Sequence, residues 1–115
     1  MLHGIDHLRL GSAERIAVLE AEQRLKKLFP VDRVIVFGSA ARGKADDESD
    51  IDLLVITSKP ATHAMRDAMS DEIFEVNLEH GTNLSIVVVE ARSWESGLLS
   101  STPLHAEIAR DGVML

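Results

Sequence analysis

Asp50 and Asp52 flank Ile51 at the mouth of an apolar run, Leu53 to Thr57. In an extended strand, side chains two apart share a face, their backbones about 6–7 Å apart. Ile51 then turns into the core while both carboxylates close on a common point. Two like charges so close repel, and each raises the other's proton affinity unless a cation intervenes. Mg2+ meets that need, because it is hard, prefers oxygen and keeps waters and substrate phosphates in its remaining positions. An Asp-x-Asp alone also describes a solvated strand end.

A second feature stands upstream, where Gly38-Ser39 follows the short β-branched run Arg33-Val34-Ile35-Val36-Phe37. Glycine after a strand lets another backbone or a ligand approach closely. A helical turn over Ser39-Ala40-Ala41-Arg42 would aim its free N–H groups at the loop, a geometry that suits phosphate. Ser39 adds a hydroxyl, and Arg42 a planar fork that reaches a phosphate or locks an acidic residue of the loop. Gly-Ser alone also describes an ordinary turn. A phosphate cradle at one strand end and a two-carboxylate clamp at the next together describe a site for a metal-bound nucleoside triphosphate.

The elements that must position these groups are legible in outline. Ser12 is a candidate N-cap, and Val18, Ala21, Leu25 and Leu28 form one apolar helical stripe that Pro30 ends. Residues 33–37 and 53–57 read as strands, joined by a small, polar loop over 38–49 and expected to pair antiparallel. Thr62 opens a second helix with Met65, Met69, Ile73 and Val76 on one face, closed by Gly81. Leu84 to Val89 is the third strand. Ser93 is placed to cap a short turn through Trp94 and Leu98. Thr102-Pro103 begins a last helix that Gly112 ends, and Val113 to Leu115 suits a small edge strand. The order predicts an α+β (or α/β) domain, a small mixed sheet flanked by helices, with residues 1–115 as one unit.

Bulk properties narrow the function. A formal charge of −7 argues against a grip on nucleic-acid backbone, which requires dense Lys and Arg. The apolar runs are far shorter than the roughly 20 residues of a membrane span, and the first residues lack a secretory pattern. The chain has no cysteine, which rules out disulfides and thiolate metal sites and suits a reducing cytoplasm.

The stretch Gly38-Ser39-Ala40-Ala41-Arg42-Gly43, then Ser49-Asp50-Ile51-Asp52-Leu53, resembles the G-S-x-x-R-G…S-D-x-D-L signature of minimal nucleotidyltransferases. These belong to the DNA polymerase β-like superfamily, and the flanking order of strands and helices fits their fold. The resemblance implies that Gly38, Ser39, Arg42 and Ser49 bind the triphosphate and that Asp50 and Asp52 hold Mg2+. It implies transfer of a nucleoside monophosphate, AMP from ATP, to a hydroxyl, with release of pyrophosphate. Small standalone members commonly act as antitoxin to a helical HEPN-type toxin and modify its side chains. That partner is therefore the expected acceptor, in a homo- or hetero-oligomer.

Active members carry a third carboxylate in the middle of the next strand, and Ser85 stands at that place here. A serine is not an anionic ligand. Glu90 lies about 16 Å further along an extended strand and with opposite side-chain parity. Glu79 reads as a solvated helix end. The same residues therefore also admit a nucleotide-binding or partner-binding module without catalysis. A small-molecule nucleotidyltransferase is a third reading, but it needs an additional helical domain.

Other candidates carry less. His3 and His7 have a spacing that chelates metal if helical, though a solvated terminus fits as well. His63, His80 and His105 are scattered and read as surface or helix-terminal residues. Lys44 and the run Asp46-Asp47-Glu48 read as solvated loop. Trp94 is the sole tryptophan, placed to pack the last helices.

Overall fold

The computed structural model describes residues 2–42 and 50–115. Four strands form one sheet in the order β3-β2-β1-β4. They are β1 (Val31–Phe37), β2 (Ile51–Thr57), β3 (Leu84–Glu90) and β4 (Val113–Met114). The helices are α1 (Ser12–Leu28), α2 (His63–His80), α3 (Ala91–Glu95) and α4 (Pro103–Asp111). The fold is α+β. β1 pairs antiparallel with β2 and β4, whereas β2 and β3 are parallel, with α2 as their crossover.

Alternation along the strands splits the core in two. Val34, Val36, Leu53, Val55, Leu84 and Val88 face α1 and α2, meeting Val18, Ala21, Leu25, Met69, Ile73 and Val76. Ile35, Leu54, Ile56 and Val89 face the other way, onto Trp94 and Ile108 of α3 and α4. The side chains of Asp52 and Ser85 have the parity of this second face. Its lower part is covered by α3 and α4.

Local chemistry explains most of the boundaries. The Thr62 hydroxyl accepts from the Met65 N–H at 3.1 Å, and Gly81 closes α2 at φ 65. Thr102 caps α4 in the same way, with Pro103 in the first turn. Three expectations fail. Ser12 is already inside α1; Gly11 is the N-cap and no side chain caps that end. Leu28 is 54% exposed, because the stripe outruns its cover in the last turn and Phe29 packs on the core instead. Ser93 lies within α3, whose N-cap is Glu90, since β3 runs one residue further than its apolar pattern. Leu98 begins a separate 3-10 turn, Leu98–Ser101.

Among the described residues, no helix is long and apolar enough to cross a membrane.

Candidate active site

Three adjacent strands, β1, β2 and β3, bring their site ends together. β1 ends where β2 and β3 begin, so Phe37 is paired with Asp52, and Asp52 with Ser85. The turn after β1 is a single helical turn in which the Arg42 N–H donates to the Gly38 carbonyl at 3.3 Å. Ala40 and Ala41 are buried and pin this turn to the core. Gly38 has φ 77, a left-handed conformation that glycine adopts without a Cβ clash. A Cβ there would lie 2.6 Å from Asp52 Oδ2. The backbone of the turn and the Asp52 carboxylate are thus in direct apposition.

On the opposite side of Asp52, the Ser85 hydroxyl donates to Oδ1 at 3.0 Å. Two residues before each of these partners, the Asn83 amide donates to Asp50 Oδ1, while the Ile51 N–H donates to the Asn83 carbonyl at 3.0 Å. Asn83-x-Ser85 on one strand therefore answers Asp50-x-Asp52 on its parallel neighbour. The sequence carried that signal as an equal spacing, but pairing it required the register. The start of β3 is fixed in turn by Asn77 of α2. Its side chain accepts from the Leu84 N–H at 2.8 Å and donates to the Leu84 carbonyl at 3.0 Å.

Asp50 is exposed and Asp52 half-buried, and each also faces a neutral donor, so the pair retains lone pairs for a cation. Two carboxylates are an all-oxygen donor pair, and the missing side chain at Gly38 leaves room beside Oδ2. These residues fit Mg2+, which takes one or two carboxylates and fills its octahedron with water and phosphate.

Arg42 is committed elsewhere. Its Nη1 lies 2.7 Å from Glu107 Oε1 on α4, so it ties the turn to the last helix. Ser39 is half-buried in the turn. Gly43, Lys44, Asp46, Asp47, Glu48 and the predicted phosphate ligand Ser49 lie outside the described residues.

The remaining candidates are not brought to this site. Glu90 pairs in register with Thr57 at the far end of the sheet. Glu79 is an ion-pair partner of Arg24 at 3.3 Å, and His80 bonds Glu20 at 2.9 Å. The His80 hydrogen bond, aided by Arg24, holds the Glu20 carboxyl below its ordinary value despite partial desolvation. Glu20, Glu79 and His80 cluster within metal-ligating distance, but the Arg24 guanidinium already stands 3.8 and 3.3 Å from the two carboxylates. His3 and His7 stack face to face with centroids 4.0 Å apart, an arrangement that does not converge their nitrogens. Trp94 is buried against His105, centroids 4.4 Å apart, where it packs α3 on α4. His63 is exposed, 3.8 Å from Asp67.

The model of the nucleotidyltransferase domain matches residues 18–108, and the chain belongs to that family. Among curated proteins it is similar to one from Methanocaldococcus jannaschii, provisionally named protein adenylyltransferase MJ1305. The two are 38% identical over 86 residues, 71% of this chain and 57% of that protein. The similarly named MJ0141 of the same organism is 53% identical over 32 residues, 28% of this chain and 32% of that protein. The chain spans about half the length, or less, of these relatives. A solved structure described as a minimal nucleotidyltransferase superposes with TM-score 0.60 at 27% identity, covering 91% of this chain and 100% of that one. A toxin–antitoxin structure with AMP-PNP shares the fold at TM-score 0.57 and 14% identity, covering 90% of this chain and 72% of that one.

Proposed function

We propose that this domain is an Mg2+-dependent nucleotidyltransferase that moves a nucleoside monophosphate, AMP from ATP, onto a hydroxyl of a partner protein. One observation carries the reading: Asp52 lies directly against the Gly38 turn, with Asp50 two residues before it at the same strand end. Asp50 and Asp52 would hold the ion, which when bound neutralises charge on the triphosphate and on the two carboxylates. The Gly38–Arg42 turn receives the outgoing phosphates through its N–H groups and the Ser39 hydroxyl. Ser49 would add a further phosphate donor. Arg42, exchanged from Glu107, would add a planar two-point contact. The acceptor oxygen bonds to the α-phosphorus as the bond to the β-phosphate bridging oxygen breaks, and pyrophosphate leaves. Positioning and charge compensation supply most of the acceleration in such a step.

The acceptor we propose is a small helical toxin of the HEPN type, with this chain as its antitoxin in a cytoplasmic hetero-oligomer. The resemblance in residues 38–53 supports this, as does the toxin–antitoxin neighbour. The whole of residues 1–115 is proposed as one nucleotidyltransferase domain. ATP labelled at the α-phosphate should pass its label to such a partner with Mg2+ and not with Asp52→Asn.

Ser85 in register with Asp52, where a third carboxylate would complete the acceptor side, favours a second reading. In that reading the module binds a metal–nucleotide without transferring it. Mg2+-dependent ATP binding with no transfer to any acceptor would select it.

A further inference from the structure

Three groups lie in a row across three strands. The Gly38 turn follows β1, Asp52 stands on β2 and Ser85 on β3, paired as Phe37↔Asp52↔Ser85. Asp52 uses one oxygen toward each neighbour: Oδ2 faces the glycine turn and Oδ1 accepts from the Ser85 hydroxyl at 3.0 Å. Displacement at phosphorus is in line, so the entering oxygen and the leaving phosphates must lie on opposite sides of the reacting atom. A triphosphate held at the Gly38 turn would put its leaving group on one side of Asp52. The Ser85 oxygen is then on the other side, bonded to a carboxylate as an acceptor hydroxyl needs to be.

Ser85 is also reachable. It is exposed and lies on the edge strand of the sheet. A carboxylate at this position could only bind a cation or take a proton. A serine brings the nucleophilic atom that the proposed chemistry consumes.

We propose that Ser85 is a self-acceptor, modified by this domain with a nucleoside monophosphate from a nucleoside triphosphate. Its Oγ forms the bond to the α-phosphorus, the bond from that phosphorus to the β-phosphate bridging oxygen breaks, and pyrophosphate departs. The Ser85 proton passes to Asp52 Oδ1. The product is a phosphodiester on Ser85 that shuts the acceptor side of the site. This rests on the nucleotidyltransferase reading of Asp50, Asp52 and the Gly38 turn.

The test is intact-protein mass and peptide mapping after incubation with Mg2+ and ATP labelled at the α-phosphate, beside calorimetric ATP binding. The native chain should gain one AMP on the peptide holding Ser85. Ser85→Ala should lose that label while still binding ATP and keeping its circular dichroism, and Ser85→Thr should recover part of the label. ATP binding without label on the chain overturns the self-acceptor role and leaves the nucleotide site standing. Label that survives in Ser85→Ala overturns it equally. Failure of the native chain to bind ATP at all overturns both.

Discussion

The Asp52 carboxylate occupies the space in which a side chain on Gly38 would begin, 2.6 Å from the position its Cβ would take. Gly38 also has φ 77. Replacement by alanine therefore meets a backbone cost and a collision, and the collision falls on a proposed metal ligand. Gly38→Ala should lose about 1–2 kcal/mol of stability and bind Mg2+ and ATP more weakly. Gly81→Ala is the matched control, since residue 81 has φ 65 and nothing within 4 Å of the added atom. It should cost similar stability in urea unfolding and leave nucleotide binding unchanged.

Asp50 and Asp52 carry adjacent like charges, so removing either relieves repulsion while removing a cation ligand. Asp50→Asn and Asp52→Asn should melt at or slightly above the native temperature. Mg2+-dependent transfer should fall roughly a hundredfold or more, the scale of several kcal/mol of lost charge stabilisation. A melting scan beside a labelled-ATP assay would show both; unimpaired transfer in Asp52→Asn would remove this residue from the site.

Arg42 is held by Glu107 at 2.7 Å, and a phosphate must compete with that carboxylate for it. Glu107→Gln should raise ATP affinity a few-fold by freeing Arg42, whereas Arg42→Ala should lower it. Both side chains are more than a third exposed, so either change should cost only about 0–1 kcal/mol of stability. Calorimetry at two salt concentrations would test this, since the advantage of Glu107→Gln should shrink as salt rises.

Asn77 pairs with both the N–H and the carbonyl of Leu84 and so acts as a strand partner at the edge of the sheet. Asn77→Ala should cost about 1–3 kcal/mol, because two backbone groups lose their partners together. The amide protons of residues 84–86 should exchange faster with solvent while those of β1 stay protected.

The Glu20 carboxyl is held low chiefly by the His80 hydrogen bond, and the Asp111 carboxyl by its bond from Arg110. A carboxyl held low in the folded state contributes stability that is present above its ordinary value and lost as pH falls through its folded value. The ordinary values are 4.5 and 3.8, so stability should hold down to those pH values and decline below them. Glu20→Gln should flatten the upper part of that decline in urea titrations.

Helices α2 and α4 could be read from the chain because caps and stripes are local. Thr62, Gly81, Thr102 and Pro103 act through atoms a few residues away, and they end or begin helices where the sequence places them. Leu28 escaped that reading because burial depends on what lies opposite, and this side chain is left 54% exposed. Arg42 escaped for the same reason: Glu107 is distant in sequence, and only the packing of α4 beside the turn made them partners.

The groups of the proposed site were legible in residues 38–53, since a glycine turn and two carboxylates two apart need only a strand's alternation to share a face. Where those groups sit relative to Ser85 was a matter of strand order and register, set by long-range pairing. Parallel pairing of β2 with β3 puts Asp52 beside Ser85 and Asp50 beside Asn83, and a one-residue slip would have turned both partners into the opposite face.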